Sequence, residues 1–219
     1  MTQGTQDRFG NRIPILEDRY GRIVRAVDSE MGTGVILDIW RVEGTEAESY
    51  ISMVREEVDR LISADVPSIP ILVDVVAAAD EIAMVWAMED FVPLSALLAE
   101  QGALSPELAV DIAHQIAVGL SRAEAKGIVH HDLSPNSVWV ARQDKAAALR
   151  LTRYAGNLVF PAYTAGFKGP MFWGTPEYMA PELCSGKEGS SQSDIYSLGI
   201  LLLEMLTGKA PFKSSNPRT

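Results

Sequence analysis

Only one cysteine, Cys184, occurs in 219 residues, so no disulfide can form within the chain. That suits a reducing compartment, with Cys184 read as a small packed apolar residue. Positive charge is scarce: 19 Lys and Arg against 29 Asp and Glu leave a net charge of −10. A chain this acidic argues against nucleic acid or an anionic membrane as primary partner. Lysine is missing altogether until Lys126. The most apolar run, residues 198–203, is far too short to cross a bilayer. No basic-then-apolar leader opens the chain, which begins Met1-Thr2-Gln3-Gly4. No repeat or low-complexity segment is visible. These absences predict a cytoplasmic protein with no membrane insertion.

What is present is a core. Apolar residues make up 47% of the chain, enough for one or two globular domains. Residues 21–27 and 35–40 read as β-branched strands around a turn at 30–34. Ile51, Val54, Val58, Leu61 and Ile62 recur at helical spacing. Residues 71–76 and 82–88 give two more strands across Asp80-Glu81. The remainder reads as mostly helical. Ser105 is a predicted N-cap, with Pro106 at the first helical position, Leu108, Ile112, Ile116 and Leu120 on one face, and Gly127 past the end. Residues 191–206 are apolar nearly all round, as a central helix should be.

Several motifs stand in order on this frame: Met88-Glu89-Asp90-Phe91-Val92, His130-His131-Asp132-Leu133-Ser134-Pro135-Asn136-Ser137, 174–182 (GTPEYMAPE), 193–199 (SDIYSLG) and 207–212 (TGKAPF). Together they resemble the hinge, catalytic loop, activation-segment end, central helix and following turn of the eukaryotic-type (Hanks-type) serine/threonine protein kinase domain. The resemblance runs from about Ile15 to the end. It implies an α+β, two-lobed fold: a small antiparallel sheet with one helix, then a mainly α-helical lobe that stops short after its central helix. The implied division is an N-terminal extension (1–14), an N-lobe (15–88), a hinge (89–92) and an incomplete C-lobe (93–219). The family's further helices, and an Arg that would pair with Glu182, do not follow, so residues 198–206 are expected to be partly uncovered.

The resemblance also sets out the chemistry a kinase needs, which is phosphate positioning and charge neutralisation. Asp132 stands at the catalytic-base position. The Asn that would hold magnesium is Ser137, with Asn136 one residue early, and the usual Lys two after the Asp is Ser134. The Gly-rich loop is reduced to Gly21, with Glu17 and Asp18 where phosphate would sit and Arg19 and Arg22 partly offsetting them. A plain hairpin turn is the preferred reading there. The third-strand Lys is Asp38, and no lysine can stand in from a neighbouring strand. Arg22 or Arg25 could reach in, although a guanidinium fork needs more room. The metal-binding Asp of the family's D-F-G falls at Arg153, followed by Tyr154 and Ala155. An arginine repels a metal ion, so both ligands are gone.

The nucleotide slot maps to Ile23, Ile36, Met88, Glu89, Val92 and Trp139. Ile36 and Trp139 are bulky enough to fill it themselves. The structural column maps to Leu61, Val75, His130 and Tyr154, anchored by Asp194. Scaffold kept and chemistry lost implies a pseudokinase: a binding, scaffolding or regulatory module with no cofactor. The expected partners are other proteins, such as an active kinase or a further segment of a longer protein. The alternatives are a serine/threonine kinase with unusual ATP and Mg²⁺ ligands, or a metal-independent nucleotide sensor. Asp38 and Glu57 would repel each other, so Arg153 is expected to bridge Asp38, Glu57 or Asp132 as a built-in cation. Asp132 is expected to be a hydrogen-bonded loop residue. His130 and His131, being adjacent, are expected to point apart and hold no metal. Tyr163, Thr164 and Thr175 are candidate phosphorylation sites, weakened by His131 at the position of the phosphate-clamping arginine.

Overall fold

The structure, a computed structural model, describes residues 8–17, 21–41, 47–63, 66, 68–78, 81–144, 148–154, 174–185 and 187–212. It divides into two compact units. One is built mainly from residues before Asp90. The other holds the rest of the described chain together with residues 61–69. The expected turn at Asp80, and Asp18, Arg19, Ala155, Tyr163 and Thr164, lie outside the described residues, as do the side chains of Glu57, Val58 and Leu61.

The first unit is an antiparallel five-stranded sheet in the order β1-β2-β3-β5-β4. Its strands are β1 (Phe9–Glu17), β2 (Gly21–Asp28), β3 (Thr33–Arg41), β4 (Ile71–Ala78) and β5 (Glu81–Ala87). β2 and β3 form the expected hairpin, in register from Gly21 opposite Trp40 to Asp28 opposite Thr33. Gly32 turns it with φ 67°, a left-handed conformation that glycine adopts at little cost. On one face of the sheet, buried side chains of β2, β3 and β5, including Val24, Leu37, Ile39 and Val85, form a core.

β1 crosses the boundary expected at residue 14. Phe9 is 1% exposed and belongs to that core. The strand was hard to read because its pattern is broken. Register shifts between Gly10 and Ile13, and between Pro14 and Leu16, absorb a left-handed Asn11 (φ 49°) and a proline. Just before it, Arg8 donates to Asp28 (2.8 Å) and Asp74 (2.7 Å), and Arg55 also reaches Asp74 (2.7 Å). The Arg8 guanidinium, with two backbone N–H groups of the turn, holds the buried Asp28 carboxyl below its usual range.

Helix α1 (Ala47–Ser63) buries Val54, as its spacing requires. Ile62 departs from expectation at 50% exposed. At about 100° per residue it lies at the edge of the apolar stripe.

In the second unit, β6 (Phe91–Pro93), β7 (Val138–Ala141) and β8 (Leu149–Leu151) make a three-stranded sheet. The stretch expected to be hinge thus enters a strand at Phe91. The helices are α2 (Leu94–Gln101), α3 (Pro106–Glu124), the short α4 (Pro181–Cys184) and α5 (Ser191–Thr207). Ser105 Oγ accepts from Leu108 N–H at 3.3 Å, the predicted cap. Ile112 and Ile116 of α3 and Leu201 and Met205 of α5 share the main core with Leu133, Val138 and Leu151. α5 ends at Gly208, whose φ of 69° and N–H to the Glu204 carbonyl (2.7 Å) stop the helix. Ile195, Leu203 and Leu206 leave an exposed apolar stripe along it. Among the described residues, no helix is long and apolar enough to cross a membrane.

Candidate functional site

The segment 130–137 lies in the second unit and is fastened at its start by α5. Asp194, in the first turn of that helix, accepts from the backbone N–H of His130 (2.8 Å) and His131 (2.9 Å). Burial pushes the Asp194 carboxyl up to about 6, although the two backbone donors pull it the other way. The His130 ring lies 4.4 Å from the Tyr154 ring and accepts at Nδ1 from the Asp132 N–H (3.3 Å). Burial, then the charges of His131 and Arg153, push His130 down to about 3, so the ring is neutral. His130 thus touches both Tyr154, through its ring, and Asp194, through its backbone N–H. Val75 is buried in the first unit.

Asp132 is 2% exposed, and its Oδ1 accepts from both the backbone N–H (2.9 Å) and the hydroxyl (2.8 Å) of Thr175. The loop after it closes on itself. Ser137 Oγ accepts from Ser134 N–H (3.0 Å) and donates to the Ser134 carbonyl (3.1 Å). Thr152 then donates from its N–H to the Ser137 carbonyl at 2.9 Å. A serine side chain is too short to do this and also reach outward. The hydroxyl is engaged inside the turn, where the family would offer a carboxamide oxygen. Asn136, one residue earlier, is half-exposed and lines a groove.

His131 has a left-handed φ of 68°. Its ring lies so close to Gly189 that a Cβ there would sit 2.5 Å from Nδ1. The two histidines thus point to different neighbours, Tyr154 and Gly189. Arg153 is also left-handed, with φ 71°, and only 3% exposed. A non-glycine residue in this conformation costs about 1–2 kcal/mol, least for Asn or Asp. At that burial the Arg153 side chain lies in the protein interior, not in bulk water.

Asp38 lies in the first unit, on β3, 2% exposed and opposite Ile23 and Met84. Arg22 is held by Glu81 through two hydrogen bonds of 2.7 and 3.0 Å, so it is occupied within its own sheet. Gly21 has a structural reason to persist: a Cβ there would lie 1.9 Å from the Ile39 carbonyl oxygen. Ile23, Ile36 and Met88 are buried in the first unit. Glu89 is exposed, and its carboxylate accepts from Gly34 N–H at 3.2 Å. In the second unit Trp139 is fully buried opposite Pro93 and Arg150, and Val92 packs on the core. A guanidinium and an engaged hydroxyl at the two positions expected to hold metal do not suit Mg²⁺, which demands oxygen ligands in near-octahedral array.

Sequence reasoning missed a groove of about 710 Å³ beside the loop, bounded by Asn136, Thr175, Glu177, Tyr178, Glu204 and Phe212. Tyr178 donates its hydroxyl to Glu204 there, while burial raises the Glu204 pKa. The signal was faint: Glu177 and Glu204 stand on separate elements, joined only by folding. Sequence reasoning also did not foresee Thr175 as the partner of Asp132. Glu182 accepts from Ser193 Oγ at 2.6 Å.

With this geometry in place, a family model for the protein kinase domain matches residues 17–219. The chain is 32% identical over 190 residues to the serine/threonine-protein kinase PkaA of Streptomyces coelicolor, an alignment covering 85% of this chain and 34% of that protein. It is 27% identical to the serine/threonine-protein kinase PrkC of Bacillus subtilis, covering 85% and 28% of the two chains. It is likewise 27% identical to the serine/threonine-protein kinase PknA of Mycobacterium tuberculosis, covering 91% and 46%. The chain thus spans less than half the length of each of these relatives.

Proposed function

Because the chain belongs to the protein kinase family, we propose that it uses the kinase scaffold to bind other proteins and no longer transfers phosphate. One observation carries this reading. The residue at the loop's magnesium position, Ser137, is tied into Ser134, while a buried arginine occupies the second metal position. Losing charge-stabilising groups at a phosphoryl-transfer site costs several kcal/mol of barrier, and each ~1.4 kcal/mol is tenfold in rate. The groove beside Ser134 and Asn136, with Glu177 and Glu204 in its wall, favours a basic protein segment as partner. The setting we propose is cytoplasmic, without nucleic acid, membrane or cofactor.

A serine/threonine kinase with unusual ligands is the second reading, favoured by the retained Asp132 and by the relatives named as kinases. Titrating ATP with and without Mg²⁺ while following the melting temperature separates the readings. The expected result is no Mg²⁺-dependent shift and no transfer of labelled phosphate. A Mg²⁺-dependent shift would sink the proposal, and a metal-independent one would point to a nucleotide sensor.

Arg153 is, in this proposal, a fixed internal cation in place of the metal. Arg153→Ala should then lower stability by about 3–5 kcal/mol, as removing one partner of a buried charge pair does. Unchanged urea unfolding would count against it.

A further inference from the structure

In the groove beside the 130–137 loop, Glu204 stands on the last turn of α5 and is half-buried. That end of the helix is fixed in place. The Met205 carbonyl accepts from Leu104 N–H at 2.7 Å. Gly208, just past the helix, packs so closely that a Cβ there would lie 2.6 Å from Ala103 N.

Tyr178, the partner of Glu204, is fixed as well. Its carbonyl accepts from Ser197 Oγ at 2.8 Å, and its N–H donates to the Thr175 carbonyl at 2.9 Å. Its hydroxyl donates to Glu204 Oε2 at 2.5 Å. Burial pushes that hydroxyl's pKa up, so it keeps its proton and remains a donor.

Among the described residues lining the groove, Glu177, Tyr178 and Glu204 are the ionisable ones. The linings from α2, the loop and the turn after α5 bring no charge. Partial burial opposes ionisation of Glu204, the Tyr178 hydroxyl supports it, and the Glu177 carboxylate opposes it again. Opposition prevails, and the Glu204 carboxyl is raised above its usual 4.5. A guanidinium in the groove would favour the ionised form. A ligand of that kind is held above the free carboxyl's pKa and is lost as pH falls through it.

We propose that Glu204 is a proton switch on this groove: a basic segment binds while Glu204 is ionised and leaves when it takes up a proton. The switch rests on the groove being a docking site for such a segment, and the two fail differently.

The probe is a blocked tripeptide of two arginines and a leucine, titrated into the full chain. Amide NMR shifts at residues 95–99, 134–136 and 204–212 report on it. Saturation near neutral pH is expected. No saturation up to roughly 10 mM sinks the docking site and the switch together. Between about pH 7.5 and about 5.5 the affinity should fall severalfold. Binding that ignores pH leaves the docking site standing and overturns the switch. Glu204→Gln should bind weakly at both values and lose the pH dependence, whereas a slope that persists there puts the proton on another group. Glu177→Gln should keep the dependence with its midpoint at lower pH, because a charge opposing ionisation is gone. Tyr178→Phe removes the donor that supports ionisation, so its midpoint should move to higher pH. Unchanged midpoints in both of these variants overturn the proposal even if Glu204→Gln does not fold.

Discussion

The two units handle charge differently. In the first, charged side chains answer one another: Arg8 with Asp28 and Asp74, Arg55 with Asp74, Arg22 with Glu81. In the second, carboxylates and hydroxyls answer backbone N–H groups and hydroxyls: Asp194 with His130 and His131, Asp132 with Thr175, Ser137 with Ser134. The difference separates contacts that need no ligand from groups that do. Contacts of the second kind hold a loop in place whether or not a ligand arrives. A group meant only for a ligand has no such second use, and Asp38, Ser137 and Arg153 stand at positions expected to hold such groups.

Breaking the second kind of contact should have the largest effect. Asp194→Ala strands two backbone N–H groups, and at about 1–3 kcal/mol each the loss should approach 4 kcal/mol, read by urea unfolding. A loss under about 1 kcal/mol would mean that the loop is held by something else. In the first unit the corresponding test is apolar. Phe9→Ala should cost about 3–4 kcal/mol, because its ring is in the core. An appended tail would lose almost nothing.

Acidity gives the smallest and sharpest comparison. His130 is pushed down to about 3 from 6.5, so its contribution is present above the unfolded pKa and is lost as pH falls toward 3. Asp194 is pushed up to about 6 from 3.8, so its contribution is present below the unfolded pKa and is lost as pH rises toward 6. Between pH 4 and 6 the two slopes, each near ~1.4 kcal/mol per unit, oppose and cancel. Relative to the parent, Asp194→Asn should lose stability on acidification from pH 6 to 4, and His130→Gln should gain it. The same profile in both variants would contradict this balance.

The hairpin, the Ser105 cap and the central helix were legible because each rests on neighbours in sequence. β1 was not, since its bulges hide the alternation that marks a strand. The hydrogen-bonded role of Asp132 was legible from the loss of its collaborators, but its partner was not. Thr175 lies 43 residues away and read as a modification site. The Ser134–Ser137 closure was equally hidden, because two serines three apart fit a turn, a cap or a free surface equally well.

By itself, then, the sequence determined the kinase-family frame and, through the family resemblance, the expectation that an acid, a hydroxyl and an arginine stand where the third-strand lysine, the loop carboxamide and the metal-binding acid would be. Those are matters of residue type and spacing. Only the tertiary structure decided what occupies the survivors: Thr175 on Asp132, and α5 beneath the loop through Asp194. The reason is range. The Asp194 contact spans 64 residues, and which donor reaches a carboxylate over that distance is settled by how strands and helices pack, not by any local preference.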